Sequence, residues 1–118
     1  MEESANRLTK KERLSDQTII SSLITKGESL FVHPFKVFYV KNDLEYNRIV
    51  FSVPKRLFKR AVKRNLIRRR SKEAYRLNKG GFSVGYDLFF VYISKTIENY
   101  HTIDGKIKEI LDNIKKMD

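Results

Sequence analysis

The chain has 118 residues, 41% of them apolar and 12% aromatic. This supports one domain with one core and excludes a chain too polar to fold. It has no cysteine, which excludes disulfide scaffolds, cysteine–zinc sites and thiol catalysis, and no apolar run approaching the ~20 residues of a membrane helix. Twelve of its 25 basic residues lie between Lys55 and Lys79 with one acid, Glu73, so that segment carries the whole net charge of +11, and the other 13 basic and 13 acidic residues cancel.

One domain is expected over residues 1–118, with a loose tail at 1–7. The N-terminal MEESANRLTKKER has no apolar stretch of a secretory signal, so a cytoplasmic protein is expected. Ser15 is the predicted N-cap of a first helix over 16–26, with Ile19, Ile20, Leu23 and Ile24 at helical spacing and Gly27 as its left-handed terminator. A short strand at Leu30–Val32 precedes His33-Pro34. Phe35–Val40 reads as a strand with Phe35, Val37 and Tyr39 on one face and Lys36, Phe38 and Val40 on the other. Asn42-Asp43 and Asn47 mark a turn, and Arg48–Val53 is the next strand, for which antiparallel pairing with its predecessor is the simplest reading. Pro54 ends that strand. A basic helix follows over about 59–77, with Gly80-Gly81 just beyond it. Tyr86–Ile93, the most apolar strand, is expected inside the sheet. Ile103, Ile107, Ile110, Leu111 and Ile114 define a last amphipathic helix. The order αβββαβα predicts an α+β fold, a small, mainly antiparallel sheet with helices packed on it.

Net charge concentrated in one element points to a polyanionic partner, nucleic acid ahead of an acidic membrane or protein. On a helical wheel, Val62, Leu66, Ile67, Ala74 and Leu77 share a sector about 140° wide, assigned to the sheet. Arg64, Arg68, Lys72 and Arg76 stack one per turn on another side, flanked by Asn65, Arg69 and Tyr75. Such a row repels itself in an isolated helix, which suits a helix with anions laid against it. Arginine grips phosphate bidentately and stacks on bases, and Asn65 can address a base edge or a 2′-hydroxyl. Lys55, Arg56, Lys59 and Arg60, at the loop and helix start, are expected to contact phosphates without reading sequence. Arg70 falls inside the apolar sector, so it either reaches the rim or marks a helix rotated from this estimate.

The segment SVPKRLFKRAVKRNLIRRRSKEAYR resembles the signature of the bacterial ribonuclease P protein subunit family. The matching residues are Ser52, Val53, Lys55 and Arg56, then Ala61, Val62, Arg64, Asn65, Arg68, Arg69, Lys72 and Glu73. Arg13, Leu14, Gly27, the strand bearing Asp87 and the closing helix extend the resemblance over about 7–116. In two places the chain departs from the family pattern. The family's Arg-Asn-Arg stands here as Arg64-Asn65-Leu66, and positions often aromatic in the family's first helix are Ile20 and Ile24. The resemblance implies a fold like ribosomal protein S5 domain 2, with a left-handed crossover around the basic helix. It implies a protein that binds a catalytic RNA and assists removal of the 5′ leader from precursor tRNA. The RNA would carry the chemistry with Mg²⁺, while the residues themselves show no catalytic group and no evident protein metal site. The basic helix would face the RNA. A cleft between the first helix and one sheet face, with Ile20, Ile24, Lys36 and Phe38, would receive the leader.

Independent of that resemblance, no H-E-x-x-H, two-metal carboxylate cluster or phosphate-binding glycine loop is present. His33 and His101 read as surface residues. Phe38 beside Lys36 suits a single nucleic-acid strand, and equally suits packing under a helix. A ribosomal-type RNA-binding protein is the alternative reading. A DNA-binding helix lacks its helix-turn-helix partner, and a membrane-surface helix lacks a wide apolar face. No membrane and no obligate protein partner is expected.

Overall fold

A computed structural model describes residues 8–117. The expected tail at 1–7 lies outside the described residues. In chain order, the elements among the described residues are a 3-10 turn (Lys10–Glu12), α1 (Gln17–Lys26), β1 (Glu28–Val32), β2 (Phe35–Lys41), β3 (Arg48–Ser52), α2 (Ala61–Asn78), β4 (Tyr86–Tyr92) and α3 (Tyr100–Lys115). The strand order is β1-β2-β4-β3, with β1–β2 and β2–β4 antiparallel and β3–β4 parallel.

The expected pairing of β2 with β3 is therefore overturned, because β4 lies between them. The expectation that β4 is internal holds, with Tyr86, Asp87, Leu88, Phe90 and Tyr92 all buried. Residues 42–47 are not a hairpin turn. They cross the end of β4, a span of roughly 10 Å at normal strand spacing. The crossing docks on Gly85, whose N–H donates to the Leu44 carbonyl while its own carbonyl accepts from the Asn42 N–H. A Cβ at Gly85 would stand 2.5 Å from both Asn42 Oδ1 and the Tyr46 carbonyl, so only glycine fits beneath the crossing. Asn47 Oδ1 accepts from the Tyr86 N–H as β4 begins.

One sheet face carries the core. Phe35, Val37, Phe51, Leu88, Phe90 and Tyr92 are buried there with Ile67, Ala74 and Tyr75 of α2 and the isoleucines of α3. Phe35 meets Phe90 and Tyr92 edge-on at 5.8 and 5.5 Å, the arrangement that ring quadrupoles favour. The opposite face carries α1, which packs against β2 and β4. Leu23 is its buried residue and stands apart from the main core.

Local chemistry revises three boundaries. Asp16, not Ser15, caps α1, its carboxylate accepting from the Thr18 and Ile19 N–H groups. A carboxylate also favours the positive end of the helix dipole. Gly27 is extended (φ −73°), not left-handed, and its need for glycine is steric, since a Cβ would lie 2.5 Å from the Leu23 carbonyl oxygen. The basic helix begins at Ala61, with Arg60 at the N-cap.

The 3-10 turn is fixed to the end of α2 by Glu12. Its carboxylate accepts from the Thr9 N–H at 3.1 Å and from Lys79 Nζ at 3.0 Å to both oxygens. Burial pushes the Glu12 carboxyl up, but the Thr9 and Lys79 hydrogen bonds outweigh it, and the group sits below its ordinary 4.5. A folded pKa below the unfolded one gives stability that is present above the unfolded value and lost as pH falls through the folded one. The difference in unfolding free energy between wild type and Glu12→Gln, measured by urea titration, should be constant near neutrality and shrink below about pH 4.5. A difference unchanged into strong acid would contradict this account of Glu12.

Candidate nucleic-acid interface

The basic helix is turned about a quarter turn from the wheel estimate. Its buried residues are Ile67, Ser71, Ala74 and Tyr75, while Val62 and Leu77, assigned to the sheet, are 70% and 51% exposed. Leu66 lies half-buried at the rim. Tyr75 and Ser71 go inside because their polar atoms are satisfied there. Asn47 hydrogen-bonds the Tyr75 hydroxyl, and Ser71 Oγ donates to the Ile67 carbonyl. Desolvation pushes the Tyr75 phenol far up, so it stays neutral. Arg70 is explained by the same rotation. It reaches the rim and donates to the Glu98 carbonyl at 2.6 Å.

The cationic row divides in two. Arg64, half-buried, donates to the Phe58 and Lys59 carbonyls, both at 2.8 Å, and fastens the preceding loop to the helix. Asn65, Arg68, Arg69, Lys72 and Arg76 line one open groove of about 880 Å³ on the outer side. Asn65 accepts from Arg68 at 2.7 Å. Arg76 is held by a two-bond contact to Glu73 at 2.8 and 3.0 Å, which lowers the pKa of that carboxyl. Among the described residues no carboxylate pairs with Arg68, Arg69 or Lys72. Lys55, Arg56, Lys59 and Arg60 are exposed on the approach to the helix.

The sheet face beneath α1 holds the other predicted residues. Lys36 and Phe38 are half-buried, with Lys36 Nζ 5.0 Å from the Phe38 ring centre. Ile20 is half-buried and Ile24 is 49% exposed. Phe38 stacks on Phe89 across the β2–β4 pair, with centroids 6.0 Å apart and planes 25° apart, and stays partly open to solvent. Phe89 was missed in the sequence because β4 is apolar on both faces, which hides its alternation. Phe31 on β1, 65% exposed, lies inside the expected strand at Leu30–Val32, but three consecutive apolar residues show no alternation that would assign it a face. The groove side of α2 and this sheet face approach each other at β3, where Lys72 lies near Val50 and Leu14. Among the described residues no group of three or more His, Asp or Glu is placed to hold a metal ion.

These features define an α+β domain with one cationic helix face, suited to phosphate backbones, and one aromatic–lysine strip, suited to unpaired bases. Comparison with known proteins gives its family. The Ribonuclease P family model matches residues 8–115. The ribonuclease P protein component of Petrotoga mobilis is 40% identical over 111 residues, covering 92% of this chain and 93% of that one. That of Borrelia hermsii is 36% identical over 99 residues, covering 82% and 86%. The structure of the RNase P protein from Thermotoga maritima superposes with a TM-score of 0.77 at 26% identity, covering 86% of this chain and 96% of that one. The chain belongs to the ribonuclease P protein family.

The orientation of α2 can be checked by stability. Tyr75→Ala should cost about 3–5 kcal/mol, as for other large buried side chains. Val62→Ala, at the exposed position, should stay within about 0.5 kcal/mol. Chemical denaturation of both variants decides it, and the reverse ranking would restore the wheel estimate.

Proposed function

We propose that this chain is the protein subunit of a ribonuclease P holoenzyme that removes the 5′ leader of precursor tRNA. In this reading the outer face of α2 and the loop before it bind the catalytic RNA. The sheet face with Lys36, Phe38, Ile20 and Ile24 receives the leader. The RNA performs the cleavage with Mg²⁺, and the protein aids substrate binding and productive metal binding. The observation that carries the reading is the confinement of the whole net charge to α2 and its approach, where Arg68, Arg69 and Lys72 have no carboxylate partner among the described residues. Cations held together without acids repel one another and are relieved by phosphates. The ribosomal-type alternative is not favoured, because the family match spans residues 8–115.

Reconstitution tests the assignment. The purified chain alone should leave precursor tRNA intact, and should lower the Mg²⁺ concentration its RNA needs for cleavage. Processing by RNA-free protein would overturn the division of labour, and an unchanged Mg²⁺ requirement would overturn the subunit role.

The helix face has its own signature. Arg68→Ala and Lys72→Ala should each weaken RNA binding and reduce the slope of log affinity against log salt by about 0.7–0.9, the value for one phosphate contact. Lys108→Ala, exposed on α3, should leave the slope in place. Equal effects at all three positions would indicate diffuse attraction without a defined face.

A further inference from the structure

Phe31 is the one aromatic side chain among the described residues that the fold leaves mostly uncovered, at 65% exposure. Its neighbours Leu30 and Val32 pack against the core, so alternation turns Phe31 to the opposite face of the sheet. The register places it directly across from Lys36, while Ser29 faces Phe38. Phe31 and Phe38 are thus diagonal neighbours, about 7–8 Å apart along the backbone and within reach of aromatic rings. Lys36 stands beside both, and Phe38 already stacks on Phe89. The strip therefore has one ring on the edge strand β1, a cation and a second ring side by side on β2, and a third ring, Phe89, on β4. Phe31 is not an isolated exposed ring, because it continues the half-exposed aromatic–lysine strip of Lys36, Phe38 and Phe89 to the sheet edge. The neighbouring lysine suits the strip to a strand of unpaired bases joined by phosphates.

We propose that Phe31 is a further stacking residue for the single-stranded leader. It would hold a base adjacent to the one on Phe38, with Lys36 serving the intervening phosphate. The proposal rests on the leader reading above and extends the contact from the centre of the sheet to its β1 edge. Because the side chain is exposed, its loss should leave the melting temperature unchanged.

The test measures binding by the assembled enzyme to mature tRNA and to precursors with leaders of increasing length. The variants are Phe31→Ala, Phe31→Leu, Phe31→Trp and Phe38→Ala. Phe31→Ala and Phe31→Leu should weaken binding of long-leader precursor by at least about fivefold, as expected for one lost base stack. Both should leave mature tRNA binding unchanged, and Phe31→Trp should retain tight binding. The leucine variant keeps bulk without a ring, so a loss shared by both variants belongs to the aromatic face. The loss should set in at a different leader length from that of Phe38→Ala. If Phe38→Ala discriminates against precursor and the Phe31 variants do not, the Phe31 assignment falls and the leader reading stands. If neither position affects leader binding, the leader reading itself falls, and this inference with it. If Phe31→Ala converts a dimer to a monomer in sedimentation with leader binding intact, the β1 edge is a contact between copies and the proposal is overturned.

Discussion

The architecture depends on a charged clasp in the sheet. Asp87, on the central strand, is nearly excluded from solvent and accepts two bonds from the Arg48 guanidinium at 2.7 and 2.8 Å. It accepts a third from the Asn42 side chain at 3.0 Å. These contacts tie β3 to β4 and fasten the end of β2 to both. They also hold the Arg48 guanidinium above its ordinary pKa. A buried carboxylate so satisfied is not a large source of net stability, because its desolvation offsets much of the attraction. Left without its partner it would cost about 3–5 kcal/mol. A hairpin pairing of β2 with β3 would leave no central place for Asp87 among these donors.

The clasp also sets the geometry of the interface. With β4 inserted, β3 becomes the strand nearest α2, and residues 13–14 lie along its outer side through the Arg13–Ile49 bridge and the Leu14 N–H to Ile49 carbonyl bond. Phe51 then meets Tyr75 at 6.5 Å and anchors the inner side of α2. Every inward residue of the helix commits the outward ones, so the groove of Asn65, Arg68, Arg69 and Lys72 is positioned by packing on the far side. The aromatic strip is likewise positioned by the core, since Phe35, Val37 and Tyr39 inward leave Lys36 and Phe38 outward.

Much of this was legible in the sequence. The order of elements, the two faces of β2 and the place of the cationic helix follow from periodicity and charge. Strand order did not follow, because a neighbour in sequence is the default partner and nothing in residues 42–47 announces a crossing. Its signature, Gly85, lies well beyond the loop. Helix rotation was misjudged for a different reason. A wheel weights Val62 and Leu77 as core and Tyr75 and Ser71 as surface, yet hydroxyls that find partners indoors are buried at little cost. Residues joined by hydrogen bonds to distant segments, such as Tyr75 to Asn47 and Arg70 to Glu98, are the ones a local pattern misplaces.

The insertion of β4 has a temporal consequence. Among the described residues β3 pairs with no strand other than β4, and α2 rests on Phe51 together with Phe90 and α3. During synthesis, β3 and the whole cationic segment are therefore made before the element that gives them a platform. Until Tyr92 has been added, β3 has no strand to lie against, and mutual repulsion opposes helix formation over 61–78. Long-range pairing of this kind also slows folding, because the ends of a long loop must meet before any contact rewards them. Nascent chains thus pass through an interval in which the charge is present and the rigid face is not. The ordered cationic face arises only once the later strand has closed the sheet.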